Sequence, residues 1–571
     1  MWRRVSIFFV LYLIFNFAST AENLLQNSTG IFIVTDKPYY CSGEIIRFKA
    51  FLNEAMLSTA NGVLHVDLWN PDGKFIDKYN LKLLDNTANG EISLPPSLAT
   101  GNYVIRVYAK RSADSNDEML HTPVLIVNAN DYSIDNIEKH LINNSGADPN
   151  SRERTFSDLP GGIEVISGMA SMNTRQNVPI QISIANPGND ANYQVTVFAR
   201  YRKFFPGPID VIERVREYRN TAIGSGVIPS ENESMQQQGM NIEGLYTEVS
   251  ENDTYRTIAY SILGEDPKFG FEYTNKEGYF TIDISDTKHN DKLYISTLEH
   301  SNQGLEIKPQ IIPPFTMKER YTVSESDKMV LDSYVKNYMI RNEIVDSYGL
   351  QLAKDLGDSS SLYDTTRVYI EADNSYNLDT YNPFVDVPDM VREILPYVKL
   401  NKKSQKYSLY IYNRFNPNLG KRPLFLVNGL PTHDQDYILA MDVSNIHIVE
   451  ILHSQQALAP FGWLGRDGIM AIYTRKPVRV PNIKDVIVNG IFKSSGPYQL
   501  YDGPDTKNTR IPLFQPSLYW NPEVNIQGNE TVDLDIPAGD ETGTLEIIVV
   551  GMDEHGNIIT GNDTVTIEYQ Q

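Results

Sequence analysis

One pair of residues in this sequence has the spacing of a zinc site. His447-Ile-Val-Glu450 carries the His-x-x-Glu pattern with which metallopeptidases hold zinc. The surrounding run, residues 446–451, is rich in β-branched residues and predicts a strand, in which side chains three positions apart lie on opposite faces. Two groups on opposite faces cannot hold one ion, so we expect no metal here. His433 and His453 have no companion ligands at zinc-site spacing.

Other catalytic patterns are absent from the sequence. It contains no Gly-x-Ser-x-Gly elbow, no phosphate-binding loop and no Gly-x-Gly-x-x-Gly run, so we expect no cofactor. The acidic residues Asp533, Asp535, Asp540 and Glu541 lack the spacing of a calcium loop and are expected on solvated faces. Two carboxylates that meet only in the folded chain would still suffice for hydrolysis. A glycan or peptide hydrolase with acids at a domain interface is therefore the alternative function.

The composition limits the kinds of protein to which this chain can belong. A chain of 571 residues predicts several domains, and 41% hydrophobic residues can form ordinary cores. The formal net charge of −22 disfavours a nucleic-acid partner, because the phosphate backbone would repel the chain. The single cysteine, Cys41, excludes an intrachain disulfide, and we expect a quiet, partly buried thiol.

The N-terminus predicts export. Arg3-Arg4 precedes an apolar run over residues 5–17, and Ala18-Ser-Thr-Ala21 places small residues at a cleavage site. The apolar run is shorter than the roughly 20 residues of a spanning helix. We predict a signal peptide over residues 1–21.

Three short apolar runs between residues 423 and 476 predict strands joined by tight turns. Their order resembles the plug domain of TonB-dependent outer-membrane receptors. Asn428-Gly429 stands where that family has Asp-Gly, Glu450 falls on the family's Glu, Phe461-Gly462 replaces Tyr-Gly, and Gly465-Arg-Asp-Gly468 replaces the last turn. These residues could equally be structural, since Asn-Gly forms a type I′ turn and glycine supplies positive φ.

In the receptor family, a plug sits inside a barrel. The residues after Lys476 are too few for the about 22 strands of such a barrel. We therefore expect a plug-like domain without a transmembrane barrel of its own.

A second motif lies near the N-terminus. Asp36-Lys37-Pro38-Tyr-Tyr40-Cys-Ser-Gly43 leads into an alternating run in which Ile46, Phe48 and Ala50 share one face. It resembles the opening of a macroglobulin-type β-sandwich, with Ser42 at the family's Pro and Glu44 at its Gln. Covalent protease trapping by that family needs a Cys-Gln thioester, which Cys41 in Tyr40-Cys-Ser42 does not provide.

We predict a mainly β, multidomain fold, with several Ig-like or macroglobulin-like β-sandwiches and a small α+β plug-like domain. Residues 324–348 and 387–395 show helical spacing instead. The predicted division is a macroglobulin-type sandwich over 22–129, a linker over 130–160, a second sandwich over 161–235, a third β domain resembling carboxypeptidase regulatory domains over 236–313, a helical connector over 314–366, the plug-like domain over 367–476 and a C-terminal β domain over 477–571.

These patterns favour a non-enzymatic, exported envelope protein in the periplasm or at the outer membrane of a Gram-negative bacterium. The expected partner is an envelope or outer-membrane protein, with a glycan as a second candidate. Exposed sheet edges would offer such a partner a route for binding by strand addition.

Overall fold

A computed structural model describes most of the chain. The described residues are 30–53, 62–109, 119–132, 161–185, 187, 191–205, 240–247, 255–289, 291–298, 302–308, 325–348, 366–403, 406–412, 422–486, 512–553 and 555–569, with some residues between 211 and 218 and between 488 and 499. The predicted signal peptide and most of the predicted linker at 130–160 lie outside them.

The chain divides into two compact units. Unit 1 combines residues 1–238, 311–354 and 492–571, and unit 2 combines residues 239–310 and 355–491. Both units are therefore discontinuous in sequence.

The strands are numbered in chain order. The first twelve are β1 (Ile31–Thr35), β2 (Tyr39–Cys41), β3 (Ile45–Leu52), β4 (Val63–Trp69), β5 (Phe75–Lys82), β6 (Thr87–Ser93), β7 (Gly101–Tyr108), β8 (Leu120–Val127), β9 (Ile163–Ser167), β10 (Ser171–Asn173), β11 (Asn177–Ile184) and β12 (Asn192–Tyr201). The next nine are β13 (Asn241–Tyr246), β14 (Thr257–Leu263), β15 (Lys268–Tyr273), β16 (Tyr279–Asp283), β17 (Lys292–Ser296), β18 (Leu305–Ile307), β19 (Asn374–Asn377), β20 (Val398–Lys403) and β21 (Lys406–Ile411). The remaining strands are β22 (Leu424–Val427), β23 (Leu430–Thr432), β24 (Ile446–Leu452), β25 (Ile469–Thr474), β26 (Ile483–Val486), β27 (Ile491–Phe492), β28 (Tyr498–Gln499), β29 (Ser517–Gln527), β30 (Thr531–Pro537), β31 (Gly543–Met552) and β32 (Ile558–Glu568).

Helices are fewer. The α-helices are α1 (Glu325–Tyr348), α2 (Val387–Ile394), α3 (Gln435–Leu439) and α4 (Gln455–Leu458), and 3-10 helices cover Leu378–Thr380, Val443–Asn445 and Ala459–Gly465. The predicted helices at 324–348 and 387–395 are confirmed. Within the described part of the chain, none of the helices combines the length and apolarity needed to span a bilayer.

The first sandwich of unit 1 is built from β1 to β8. One sheet has the order β1-β3-β6, and the other contains β2-β8-β7-β4-β5 in that order. The predicted alternation in β3 is confirmed, since Ile46, Phe48 and Ala50 are fully buried between the sheets. The opposite face of β3 departs from the expected solvent-facing pattern, because Lys49 is only 2% exposed.

The burial of Lys49 makes a pH-dependent contribution to stability. Burial lowers the pKa of its ammonium group to about 8, although Glu523 acts in the opposite direction. Its Nζ donates to the carbonyl oxygen of Pro522 at 2.5 Å. The folded state therefore disfavours the charged lysine, and this cost, about 3 kcal/mol, disappears as pH rises from about 8 to above the unfolded pKa of about 10.4.

We expect Lys49→Met to remove this pH dependence. The wild-type free energy of unfolding should rise by about 3 kcal/mol relative to Lys49→Met between pH 8 and pH 10.5, as measured by urea denaturation of unit 1. Lys82→Met, at an exposed position of β5, serves as the matched control. An equal rise in wild type and Lys49→Met would contradict the assignment.

The second sandwich of unit 1 contradicts the predicted separation of residues 161–235 from 477–571. Its large sheet has the order β10-β32-β31-β12-β29-β28, and its small sheet the order β30-β11-β9. Thus β12 lies between β31 and β29, and β11 pairs with β30. One sandwich is assembled from two distant segments, and neither segment forms the domain that was predicted for it.

Helix α1 packs on unit 1. Leu331, Tyr334 and Val335 are buried in the core of the second sandwich, beside Tyr39 of β2. Met339, one turn further along the helix, is 36% exposed.

Unit 2 contains a third sandwich and a five-stranded mixed sheet. The sandwich has one sheet of order β16-β13-β18 and another of order β15-β14-β17-β26. β26 belongs to the predicted C-terminal domain, yet it extends the sheet of the third domain. The mixed sheet has the order β19-β24-β25-β22-β23, and helix α2 buries Val387, Met390 and Val391 in the core of that region. The protein is therefore mainly β and multidomain, as predicted.

Candidate functional site

A pocket of about 230 Å³ lies in unit 2. The third sandwich forms one wall, and the loops next to β22, β23 and β25 form the other. The lining residues are Tyr246, Tyr255, Arg256, Thr257, Ile258, Thr297, Leu298, Arg422, His433, Trp463, Leu464, Arg466 and Asp467.

The sandwich wall is fixed by hydrogen bonds around β14 and β17. The backbone N–H of Arg256 donates to Oγ1 of Thr274 at 3.0 Å, which holds the chain at the start of β14. Ser296 Oγ donates to the carbonyl oxygen of Pro431 at 2.9 Å and accepts the N–H of Leu298 at 3.0 Å. These bonds join the two walls through a side chain that is fully buried.

Three glycines of the plug-like motif shape the loop wall. Gly462 has φ +52°, and a Cβ there would lie 2.9 Å from the ring of Phe271. A Cβ on Gly468, at φ +84°, would lie 2.7 Å from the Ile411 side chain. At Gly465 the neighbouring atom belongs to the backbone, because a Cβ there would lie 3.0 Å from the carbonyl oxygen of Leu458. All three glycines are therefore structural, and the turns that they permit hold Trp463 and Arg466 at the pocket.

The pocket carries more positive than negative charge. Its described lining contains three arginines, Arg256, Arg422 and Arg466, and one carboxylate, Asp467. Asp467 is buried, accepts the backbone N–H of Arg422 at 3.3 Å and lies 3.6 Å from Nε of Arg466. The Arg466 side chain is 72% exposed, so most of its guanidinium remains accessible. This concentration of cations is unusual in a chain with a net charge of −22.

Aromatic side chains stand at the rim. Trp463 is 44% exposed and Tyr255 is 58% exposed, whereas Trp69 and Trp520 are buried in unit 1. An exposed tryptophan next to accessible arginines is a typical composition for a binding hot spot. The arrangement can therefore bind an anionic group together with an apolar neighbour.

The Asn428-Gly429 turn has a structural role. Both residues have positive φ, at 48° and 79°, as a type I′ turn requires. Asn428 Oδ1 accepts the N–H of Thr474 at 2.9 Å, and a Cβ on Gly429 would lie 2.3 Å from the carbonyl oxygen of Thr366. Only glycine fits at that approach.

The register of β24 is irregular between Ile446 and Ile448, so the regular alternation from which opposite faces were predicted for His447 and Glu450 is interrupted at His447. Glu450 is 2% exposed and accepts the hydroxyl of Tyr369 at 2.5 Å. Burial raises the pKa of Tyr369, and Tyr473 and Glu450 raise it further. His447 is half-buried and contacts Asp379 at 3.2 Å. Glu450 therefore anchors the segment before β19 and does not line the pocket.

The macroglobulin-type motif is also structural. Asp36 Oδ1 accepts the Tyr40 hydroxyl at 2.6 Å, and Lys37 pairs with Glu44 at 3.0 Å. Pro38 precedes β2, and Gly43 has φ +92°. All of these residues belong to unit 1, whereas the pocket belongs to unit 2.

No cluster of three or more His, Cys, Asp or Glu side chains in the described part of the chain is arranged to hold a metal ion. Cys41 is fully buried, and burial raises the pKa of its thiol, with a further increase from Glu44. The thiol is thus more deeply buried than predicted.

Sequence reasoning missed the residues that give the pocket its charge. Arg256, Arg422 and Arg466 are isolated cations in three separate loops, and nothing local distinguishes them from other surface arginines. Trp463 could have indicated the site from sequence, because a tryptophan next to glycine in a surface turn contributes little to core packing.

Comparison with known proteins finds similar solved structures but no match by sequence. No protein-family model matches the sequence, and no curated protein matches it. Solved structures similar to the chain include an alpha-2-macroglobulin from Salmonella that was reacted with methylamine, with 8% identity over 95% of this chain and 40% of that chain and a TM-score of 0.22. They also include an Escherichia coli alpha-2-macroglobulin activated by porcine elastase, with 10% identity over 94% of this chain and 44% of that chain and a TM-score of 0.23.

A third similar structure is a putative membrane anchored protein from Corynebacterium diphtheriae, with 12% identity over 30% of this chain and 34% of that chain and a TM-score of 0.14. The chain spans about two fifths of the length of the two macroglobulins.

Proposed function

We propose that this chain is a non-enzymatic binding protein of the bacterial envelope, which docks a partner protein through its plug-like region in unit 2. The observation that carries this proposal is the pocket in which the exposed Trp463 stands beside Arg256, Arg422 and Arg466. The docking role comes from the loops that frame this pocket, and the glycines of the plug-like motif shape one of them.

The composition of the pocket favours binding over hydrolysis. Acid–base hydrolysis uses two groups that accept and donate protons next to the bond to be broken. The single carboxylate in the described lining, Asp467, is buried and already engaged by Arg422 and Arg466. Arginine stays protonated at all physiological pH values and so serves as an anion-binding group here.

The proposed location follows from sequence. Residues 1–21 have the three regions of a signal peptide, and the plug-like and macroglobulin-type motifs both resemble exported bacterial proteins. We assign the protein to the periplasm or to the outer membrane, where its partner would be an envelope protein.

Site-specific photocrosslinking tests this proposal. A photoreactive phenylalanine analogue at position 463 should give one discrete adduct in intact cells, because Trp463 lies at the rim of the docking site. Adding Arg466→Gln should reduce the adduct several-fold. The same analogue at the exposed position 555 in unit 1 is the control. No adduct at 463, or the same adduct from 555, would count against docking through the pocket.

A further inference from the structure

We infer that the pocket recognises a carboxylate side chain with an adjacent apolar residue, presented by an acidic peptide segment of the partner. This inference rests on the proposed docking function and names the chemistry that the partner must bring.

The arginines select for a planar anion. Guanidinium groups donate parallel hydrogen bonds to carboxylates in a fork geometry. Arg466 is accessible to a ligand, because its contact with Asp467 is long, at 3.6 Å, and its side chain is 72% exposed. An incoming carboxylate can therefore pair with Arg466 without displacing a short internal hydrogen bond.

Asp467 leaves Arg466 able to pair with an incoming anion. Its buried carboxylate lies within the pocket, and Oδ1 approaches Nε of Arg466 only to 3.6 Å. The exposed guanidinium of Arg466 can therefore pair with a further carboxylate, and the test below distinguishes a carboxylate from a phosphate.

The size of the pocket favours side chains over a whole small molecule. Pockets for drug-sized ligands and cofactors measure about 300–1,000 Å³. This pocket, at about 230 Å³, is smaller than that range. One or two side chains of a longer segment fit such a space, while the rest of the segment stays outside.

The aromatic rim accounts for the apolar neighbour. Trp463 and Tyr255 are both about half exposed, and their rings offer flat apolar surface next to the arginines. Burying an aromatic or aliphatic side chain against them would add affinity without adding charge. The partner segment that the pocket recognises therefore contains acidic and apolar residues, either alternating or next to each other.

Tryptophan fluorescence of the mature chain, residues 22–571, provides the test. Trp69 and Trp520 are buried, so an external quencher reports mainly on Trp463. The probe is a capped pentapeptide, Ala-Glu-Phe-Glu-Ala. It should protect Trp463 from acrylamide quenching with saturation below about 1 mM, and added salt should weaken binding. The same peptide with glutamine in place of glutamate should bind at least about tenfold more weakly.

Matched variants separate the loss of a charge in the pocket from a loss of folding. Arg466→Gln should weaken peptide binding about tenfold or more, because a charge-assisted hydrogen bond is lost. Arg479→Gln, at an exposed arginine of unit 2 outside the pocket lining, should leave binding unchanged. Retained near-ultraviolet circular dichroism would show that both variants are folded.

The outcomes distinguish this inference from the proposed function. Equal binding of the glutamate and glutamine peptides, tighter binding of inorganic phosphate or of a phosphopeptide, or no saturable binding would each overturn the carboxylate assignment. If one of these results came with a specific crosslink from position 463, docking through the pocket would stand while its chemistry would be different. Peptide binding without any crosslink would support the carboxylate site and refute docking in the cell.

Discussion

A chain that ends at residue 491 should lose the whole second sandwich, although residues 161–205 remain in it. Strand β12 would lose β29 and β31 from its two edges, and β11 would lose β30. Each fully buried large apolar side chain contributes about 1.5–3 kcal/mol, so exposing those of β11 and β12 together removes an amount comparable with the 5–15 kcal/mol that stabilises a typical domain. Hydrogen exchange should show that the amides of β11 and β12 are unprotected.

Unit 2 is the control within the same truncated chain. Strands β24 and β25 pair only within that unit and should keep their wild-type protection. Residues 512–571 supplied as a separate peptide should restore protection to β12. Protected β11 and β12 amides in the truncated chain alone would mean that residues 161–235 fold independently after all.

Replacing Glu44 with glutamine should cost unit 1 about 3–5 kcal/mol of stability at neutral pH, the usual effect of breaking a buried ion pair from one side. The Glu44 carboxylate contacts Lys37 at 3.0 Å and Arg341 at 2.8 Å, and it also accepts the hydroxyl of Tyr334 and the backbone N–H of Cys41. In Glu44→Gln, two buried cations would lose their counter-charge. Helix α1 should then detach from the first sandwich, which hydrogen exchange over residues 328–348 would detect.

The pH dependence of this effect has a definite sign. Burial alone would raise the pKa of Glu44, but Lys37 and Arg341, together with hydrogen bonds from Tyr334 and Arg341, lower it to about 2. A carboxyl whose pKa is lower in the folded state stabilises above its unfolded pKa, about 4.3, and loses that contribution as pH falls towards 2. About 3 kcal/mol of the difference between wild type and Glu44→Gln should therefore vanish between pH 5 and pH 2.

Glu91→Gln is the matched control for Glu44→Gln. Glu91 pairs with Arg47 at 3.0 Å in the same sandwich, but its side chain is 37% exposed. Exposed pairs contribute less than about 1 kcal/mol, so this variant should unfold close to wild type at every pH. If the two variants had similar urea midpoints, the buried network around Glu44 would not be the contact that secures α1.

Local features of the sequence predicted local features of the fold. The alternation in β3 and the long helix α1 both follow from periodicity over a few residues. Positive φ at Asn428 and Gly468 likewise follows from turn chemistry. The division into domains failed because the edges of a strand do not encode which distant strand will pair with them. Nothing in the sequence around β12 indicates that its neighbours lie more than 300 residues later.

The candidate site shows the same boundary between local and distant information. The glycines that shape the loop were identified from sequence, since each needs a conformation or a close approach that other residues cannot adopt. The three arginines of the pocket, Arg256, Arg422 and Arg466, were not identified from sequence, because only the folding of unit 2 brings their three separate loops to one pocket.

The discontinuous course of the chain also governs the order in which its domains can be completed during synthesis. The first sandwich has β1 to β8 by residue 127 and lacks only the two-residue edge strand β27, and unit 2 ends at residue 491. Strands β11 and β12 are made early but must wait for β29 to β32 before their edges are covered. Unpaired apolar edges of this kind attract other chains, so the partly made chain is open to association until those strands join the two sheets.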